Sequence, residues 1–283
     1  METVLQLARH NPSKIFLAAR SGEKAEEAII SIKKQLSNET EIYWLPLDLM
    51  SVDSIKEAAK IFEKQSPRLD CLILNAGVMC LPPGKTRMGH DVQFGTNHTG
   101  HFLLTQLLLP TLLKTAETKS DVRVVTIASV GYNLAPAFSM FLDQEKLSKA
   151  DPYIRYGASK ASNILFAAEL ARRYPSLTSV SVHPGIIITG LYESVTHHFY
   201  FGNAISKVLS SLMTQIPAGA FNQLWASVGV EKSELENGAY YVPVGHHKPY
   251  NQYSTDKWMA RTLWDWTEAE LRRFGALEYS VSS

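Results

Sequence analysis

The chain alternates between short apolar runs and longer amphipathic stretches. Residues 14–20, 42–47, 69–74, 122–128 and 179–183 are dense in Val, Ile, Leu, Ala and aromatics, and most end at a Ser, Asp, Asn or Pro. Such runs read as strands buried on both faces. Between them, 23–37 is a charged surface helix, 51–65 an amphipathic one, 96–115 a long apolar one and 153–174 another. This βα rhythm predicts an α/β fold, a doubly wound parallel sheet of the Rossmann-like kind, formed by residues 1–283 as a single domain. Residues 2–9 also carry apolar positions at helical spacing (Val4, Leu5, Leu7, Ala8), stopped by Asn11-Pro12. No strand stands before that helix.

The rhythm breaks from Thr189 to about Val230, where apolar helical pieces such as 205–213 follow His197-His198-Phe199-Tyr200-Phe201. Material inserted beyond a strand's carboxyl end usually covers the ligand crevice, so 190–230 is expected to be a substrate cap. Plain packing or contact between copies is the other reading. Residues 240–244 look like a last strand. The segment 258–266, and then a capping-box pattern Thr267-Glu268-Ala269-Glu270, predict two terminal helices.

Composition narrows the function. The chain has 283 residues, 45% hydrophobic and 19% charged, with a formal net charge of +1. That suits a well-packed globular domain and gives nucleic acid no basic surface to bind. The only cysteines, Cys71 and Cys80, form no metal-binding or disulfide pattern, and Cys71 inside an apolar run is expected to be a buried, inert thiol. No run reaches transmembrane length and the first residues lack signal-peptide order, so a reducing, cytoplasmic setting is expected.

Candidate chemistry centres on Tyr156-Gly157-Ala158-Ser159-Lys160. Tyrosine and lysine at i and i+4 share a helix face. A neighbouring ammonium favours the phenolate, lowering the phenol from ~10 toward working pH and making Tyr156 a proton donor and acceptor. Taken alone, the spacing also fits a surface tyrosine beside a solvated lysine. Ser129 closes the strand at 122–128, at the edge where doubly wound proteins hold ligands, and can bond a carbonyl or cap a turn. Asn75-Ala76-Gly77 closes the preceding strand with residues small enough for a flat ligand to touch backbone. Asn97, early in an apolar helix, either caps or has a specific side-chain task. His98 and His101 are i, i+3 but lack a third ligand, so packing or capping is expected over metal binding.

Asn75-Ala76-Gly77-Val78-Met79, Asn97, Ser129, Tyr156-x-x-x-Lys160 and Pro184-Gly185, in this order and spacing, resemble the short-chain dehydrogenase/reductase family. The stretch VQFGTNHTGHFLLTQLLLP is similar to its retinol-dehydrogenase-like and protochlorophyllide-reductase-like branch. The resemblance covers 2–245. It implies an oxidoreductase in which Tyr156 exchanges the proton and Lys160 tunes Tyr156 and holds the nicotinamide ribose. Ser129 would orient the substrate oxygen, and Asn97 would place a water linking Lys160 to solvent. It also implies that Asn75, Ala76 and Gly77 line the adenosine, Asp48 binds the adenine amine, and Ile187 and Thr189 meet the carboxamide and phosphates. The strand-end position where an acid would accept the ribose hydroxyl of NAD holds Arg20, which suits the 2′-phosphate of NADP or stands solvated. The expected substrate is a small lipophilic carbonyl or alcohol of polyketide, terpenoid, steroid or retinoid-like kind, as in secondary metabolism. A homodimer is among the expected assemblies.

The same resemblance places a strand and a T-G-x-x-x-G-x-G turn ahead of the first helix, where backbone amides hold the cofactor diphosphate. The expectation is therefore that about 30 further residues precede Met1 in the complete protein. The rival expectation is a non-catalytic binding or regulatory relative that has lost its cofactor. In either case, the strands at 14–20 and 69–74 should flank a missing central strand.

Overall fold

The computed structural model describes residues 1–185, 218–249 and 251–277. The expected cap at 190–230 lies largely outside them, as do Ile187 and Thr189. Strand β1 (Lys14–Ala19) pairs in parallel with β2 (Glu41–Pro46), setting Ile15 opposite Ile42. Strands β3 (Cys71–Leu74), β4 (Arg123–Ile127), β5 (Thr178–Val182) and β6 (Tyr240–Val242) form a second, parallel sheet in that order. A two-residue antiparallel strand β7 (His246–His247) closes its edge.

The helices follow the expected crossovers. After the short α1 (Glu2–Ala8), α2 (Gly22–Lys33) starts at Ser21 and α3 (Val52–Gln65) at Ser51, each with the serine oxygen accepting a backbone N–H three residues on. Between β3 and β4 runs one helical rod: a turn α4 (Val92–Phe94), a π-helical turn Gly95–Thr99, and α5 (Gly100–Thr118). Between β4 and β5 come a 3-10 turn Val130–Leu134, two short helices α6 (Ser139–Leu142) and α7 (Gln144–Leu147), and the long α8 (Pro152–Arg173). The C-terminal helix Lys257–Arg273 is continuous rather than the two helices expected. Thr267 is buried in its middle, its hydroxyl donating to Leu263 O, and Asp256 caps the start instead.

The sheet is divided. β1 and β3 do not pair, so each has a hydrogen-bonded neighbour on one side only. The consequence is visible in burial: β4 and β5 are buried at every position, whereas the run at 14–20, expected to be buried, is exposed or half-buried throughout. The Cys71 thiol is likewise half-buried, although desolvation still pushes it up to about 12. Packing across the layer joins the two pieces. Leu45 of β2, Leu47 and Leu49 just beyond it, Ile55 and Phe62 of α3, Leu103 and Leu112 of α5, Phe166 of α8 and Trp264 share one apolar core. Truncating a buried leucine in such a cluster costs ~2–5 kcal/mol. A second cluster beneath α8 sets Ala158, Ala161 and Leu165 against Tyr240, Tyr253 and Leu263.

Candidate active site

Helix α8 carries the tyrosine and lysine. Asp151 caps it through Tyr153 N, and Pro152 opens its first turn. The i, i+4 spacing sets Lys160 Nζ 5.7 Å from the centroid of the Tyr156 ring. Both side chains are buried. Lys160 Nζ donates to Ile127 O at 3.0 Å, at the carboxyl end of β4, and Asn163 Nδ2 donates to the same carbonyl. Among the described residues no carboxylate pairs with the lysine, and desolvation lowers it to about 8.

Asn97 lies in the π-helical turn and is fully buried. Its Oδ1 accepts Val78 N at 2.8 Å, and its Nδ2 donates to Val78 O and to Ser159 Oγ, both at 2.9 Å. Ser159 Oγ in turn donates to Tyr156 O at 2.8 Å. The amide is therefore neither a cap nor a free surface group. It ties the loop after β3 to α8. The main-chain carbonyl of Asn97 accepts His101 Nδ1–H at 2.9 Å, and burial lowers that histidine to about 4, with the Lys160 charge adding to the effect. His98, also buried, donates Nε2–H to Thr267 Oγ1, fastening the rod to the C-terminal helix.

Ser129 ends β4 half-buried, its Oγ accepting Gly131 N. Gly131 lies close to both Ser129 Oγ and the Tyr156 ring. A Cβ on the glycine would stand 2.8 Å from Tyr156 Cε1 and 3.4 Å from Ser129 Oγ. At Gly77 a Cβ would meet Asn97 Oδ1 at 3.3 Å and Lys160 Nζ at 3.4 Å, so bare backbone faces the lysine there. Asn75 and Ala76 beside it are exposed. The structure thus brings Gly77, Asn97, Ser129, Tyr156 and Lys160 to the carboxyl ends of β3 and β4. Arg20 and Asp48 belong to the other sheet piece, beyond the carboxyl ends of β1 and β2. Arg20 is exposed, while Asp48 is half-buried, with Oδ1 accepting Met50 N. Sequence reasoning passed over Ser159, Asn163 and Gly131. Ser159 stood inside the tyrosine–lysine motif, and the other two gave no signal.

A profile of the short chain dehydrogenase family matches residues 1–141. A short-chain dehydrogenase/reductase of Aspergillus calidoustus is 34% identical over 286 residues, covering 96% of this chain and 89% of its own length. The chain is a short-chain dehydrogenase/reductase. The human polyprenol dehydrogenase is 33% identical to this short-chain dehydrogenase/reductase over 247 residues, covering 85% of it and 70% of the relative. An uncharacterised protein of Mycobacterium paratuberculosis superposes with a TM-score of 0.70 at 27% identity, covering 95% of this chain and 88% of its own. An NADPH-bound carbonyl reductase from chicken fatty liver shares the fold, with a TM-score of 0.62 at 20% identity over 88% of this chain and 93% of that one. The family's oxidoreductases work with nicotinamide cofactors. In this member, bare backbone at Gly77 and a buried ammonium at Lys160 fit the sugar side of such a molecule.

An aromatic cluster packs beneath α8, next to the site. The Tyr132 ring, three residues beyond Ser129, meets Tyr240 edge-on at 5.5 Å and Tyr253 at 5.8 Å. Among the described residues, no helix is long and apolar enough to cross a membrane.

Proposed function

We propose that the protein is an NADP-dependent carbonyl reductase or alcohol dehydrogenase acting on a lipophilic small molecule. The observation that carries this reading is the buried Tyr156–Lys160 pair, 5.7 Å from ring centroid to Nζ, with Gly131 close to both Ser129 Oγ and the same ring. When bound, the reduced nicotinamide supplies the hydride that adds to the carbonyl carbon. In that direction Tyr156 gives its phenolic proton to the carbonyl oxygen, so that carbonyl, NADPH and one proton become alcohol and NADP. In the other direction it takes the hydroxyl proton. Ser129 Oγ orients the oxygen. Lys160 favours the phenolate and, with its remaining ammonium protons, holds the ribose hydroxyls. Asn97 keeps α8 at its distance from the loop after β3 through Val78 and Ser159. Asn75, Ala76 and Gly77 would line the adenosine side and Asp48 would bind the adenine amine, while Ile187 and Thr189 lie outside the described residues. Arg20 suits a 2′-phosphate, which favours NADP. The polyprenol named for a human relative supports an apolar substrate.

The divided sheet favours a second reading, a non-catalytic scaffold that binds no dinucleotide. One experiment separates them. NADPH fluorescence titrated with the purified chain should shift to the blue and saturate at micromolar protein, and NADPH should be consumed with apolar aldehydes or ketones. Tyr156→Phe should abolish turnover while leaving NADPH affinity within about threefold. No fluorescence change in the wild-type chain selects the scaffold.

A further inference from the structure

Beside the site, a fully buried ion pair joins the segments that carry it. Arg155 and Asp91 are both 0% exposed, with Arg155 Nη1 2.9 Å from Asp91 Oδ2. The other two guanidinium nitrogens donate as well, Nη2 to Leu81 O at 2.7 Å and Nε to Ala150 O at 3.1 Å. The other oxygen of Asp91 accepts the amides of Gln93 and Phe94, both at 3.0 Å, and so starts the rod that holds Asn97. Gln93, also fully buried, accepts Cys80 N at 2.8 Å and donates to Pro152 O at 2.9 Å. Met79 and Cys80, in the loop fixed this way, pack against the Tyr156 ring.

We propose that Asp91, Gln93 and Arg155 are positioning residues, a buried clamp that sets where Tyr156 stands relative to Asn97 and to the loop after β3. The proposal rests on the oxidoreductase reading of that site. None of the three touches the reacting atoms. Their bonds end instead on three backbone segments: the loop at 79–81, the first turn of the Asn97 rod, and the approach to α8. Arg155 immediately precedes Tyr156, so a shift of its guanidinium moves the backbone that carries the phenol. Stability alone is a poor reason for such a pair. Desolvating two charges costs much of what their attraction returns, and well-packed apolar residues of similar volume often replace a buried pair without loss. Geometric constraint is what an apolar pair cannot reproduce, because it makes no directed bonds to Leu81 O, Ala150 O or the helix amides. A displacement of about 1 Å at a catalytic group is worth about 100-fold in rate.

The test is the double variant Asp91→Leu/Arg155→Met, with Arg155→Lys as a milder companion that keeps the charge but cannot reach all three acceptors. The double variant should fold but melt below wild type, because Leu81 O, Ala150 O and the amides of Gln93 and Phe94 lose their partners. It should also lose about 100-fold in kcat for NADPH-dependent reduction of an apolar aldehyde, with its KM for the aldehyde within about threefold. Arg155→Lys should fall between the two. The alkaline limb of the kcat–pH profile should move to higher pH as the phenol and the lysine part. A role in stability alone would leave kcat and that limb unchanged in whatever fraction folds, and that result overturns the proposal. If the double variant does not fold, the same two readouts on Arg155→Lys decide it. A wild-type chain that reduces no carbonyl sinks the oxidoreductase reading separately. The clamp is then judged by ring-13C tyrosine NMR, with the Tyr156 signal assigned from Tyr156→Phe. A displaced or broadened Tyr156 signal in the double variant supports the clamp, and a wild-type one overturns it.

Discussion

The Tyr156 ring lies so close over Gly131 that a methyl group on the glycine would stand 2.8 Å from Cε1. The ring belongs to α8 and has little room to retreat, because Met79 and Cys80 pack against it. Gly131→Ala should therefore tilt the phenol or lift the 3-10 turn, at a cost of ~1–3 kcal/mol in stability. Catalysis should suffer more, with kcat falling ~10- to 100-fold while NADPH affinity holds. Urea unfolding and steady-state kinetics of one preparation test both parts. Unchanged kcat would show that the ring position is set elsewhere.

Lys160 carries its charge at a cost. Its folded value of about 8 lies below the unfolded ~10.4, so the unfolded chain binds more protons between those pH values and stability rises with pH across that window. Below pH 8 the buried charge costs the fold ~3 kcal/mol. Lys160→Met removes that cost and one bond to Ile127 O, which Asn163 still satisfies. The variant should be inactive yet ~1–2 kcal/mol more stable than wild type at pH 7, and the difference should shrink by pH 10. Denaturant titrations at the two pH values measure it. A variant less stable at pH 7 would mean that the lysine has a stabilising partner.

Much of this was legible beforehand, for physical reasons. The strands that became β4 and β5 are continuous apolar runs because both faces are covered, and tyrosine and lysine four apart had to share a helix face. The gap between β1 and β3 was expected from the family resemblance, which places a central strand between them. The depth of burial along β1 was not, because an apolar run looks the same with one neighbour or two. The Asp91–Arg155 pair was invisible for a different reason. Aspartate before an apolar helix reads as a cap, which it is, but nothing local tells that an arginine 64 residues away is buried against it. Gly131 was missed because its task is to be empty space for a ring from another element. Thr267 misled because a capping-box pattern can sit inside a longer helix whose true cap, Asp256, comes eleven residues earlier.

Four described histidines are buried, and burial lowers all of them; the three lowered most make the fold sensitive to acid. Burial lowers His98 to about 3, and His101 and His183 to about 4, each from an unfolded ~6.5. Above pH 6.5 both states are neutral and nothing is lost. Below it the unfolded chain takes up protons first, and each histidine removes ~1.4 kcal/mol per pH unit until its folded value is reached. At pH 5 the three together remove ~6 kcal/mol, comparable with the whole stability of many domains. Melting temperature should fall steeply from pH 6.5 to 5. His98→Gln, which keeps a donor for Thr267 Oγ1, should flatten that slope by about a third. An equal slope in variant and wild type would locate the acid sensitivity in other groups.

Cofactor choice turns on Arg20, exposed just past β1 and in no ion pair among the described residues. A guanidinium meeting a 2′-phosphate makes charge-assisted bonds worth ~1.5–3 kcal/mol, which it cannot make with a ribose hydroxyl. Arg20→Ala should therefore weaken NADPH binding ~10- to 100-fold and leave NADH binding within about twofold. Arg20→Glu should go further, repelling the phosphate while accepting the hydroxyl, so that NADH becomes the better ligand. Because the side chain is exposed, neither change should alter the melting temperature by more than a degree or two, which keeps the comparison free of folding effects. Fluorescence titration with both nucleotides reads the outcome. Equal losses for NADPH and NADH would remove Arg20 from phosphate recognition, and with it the case for NADP.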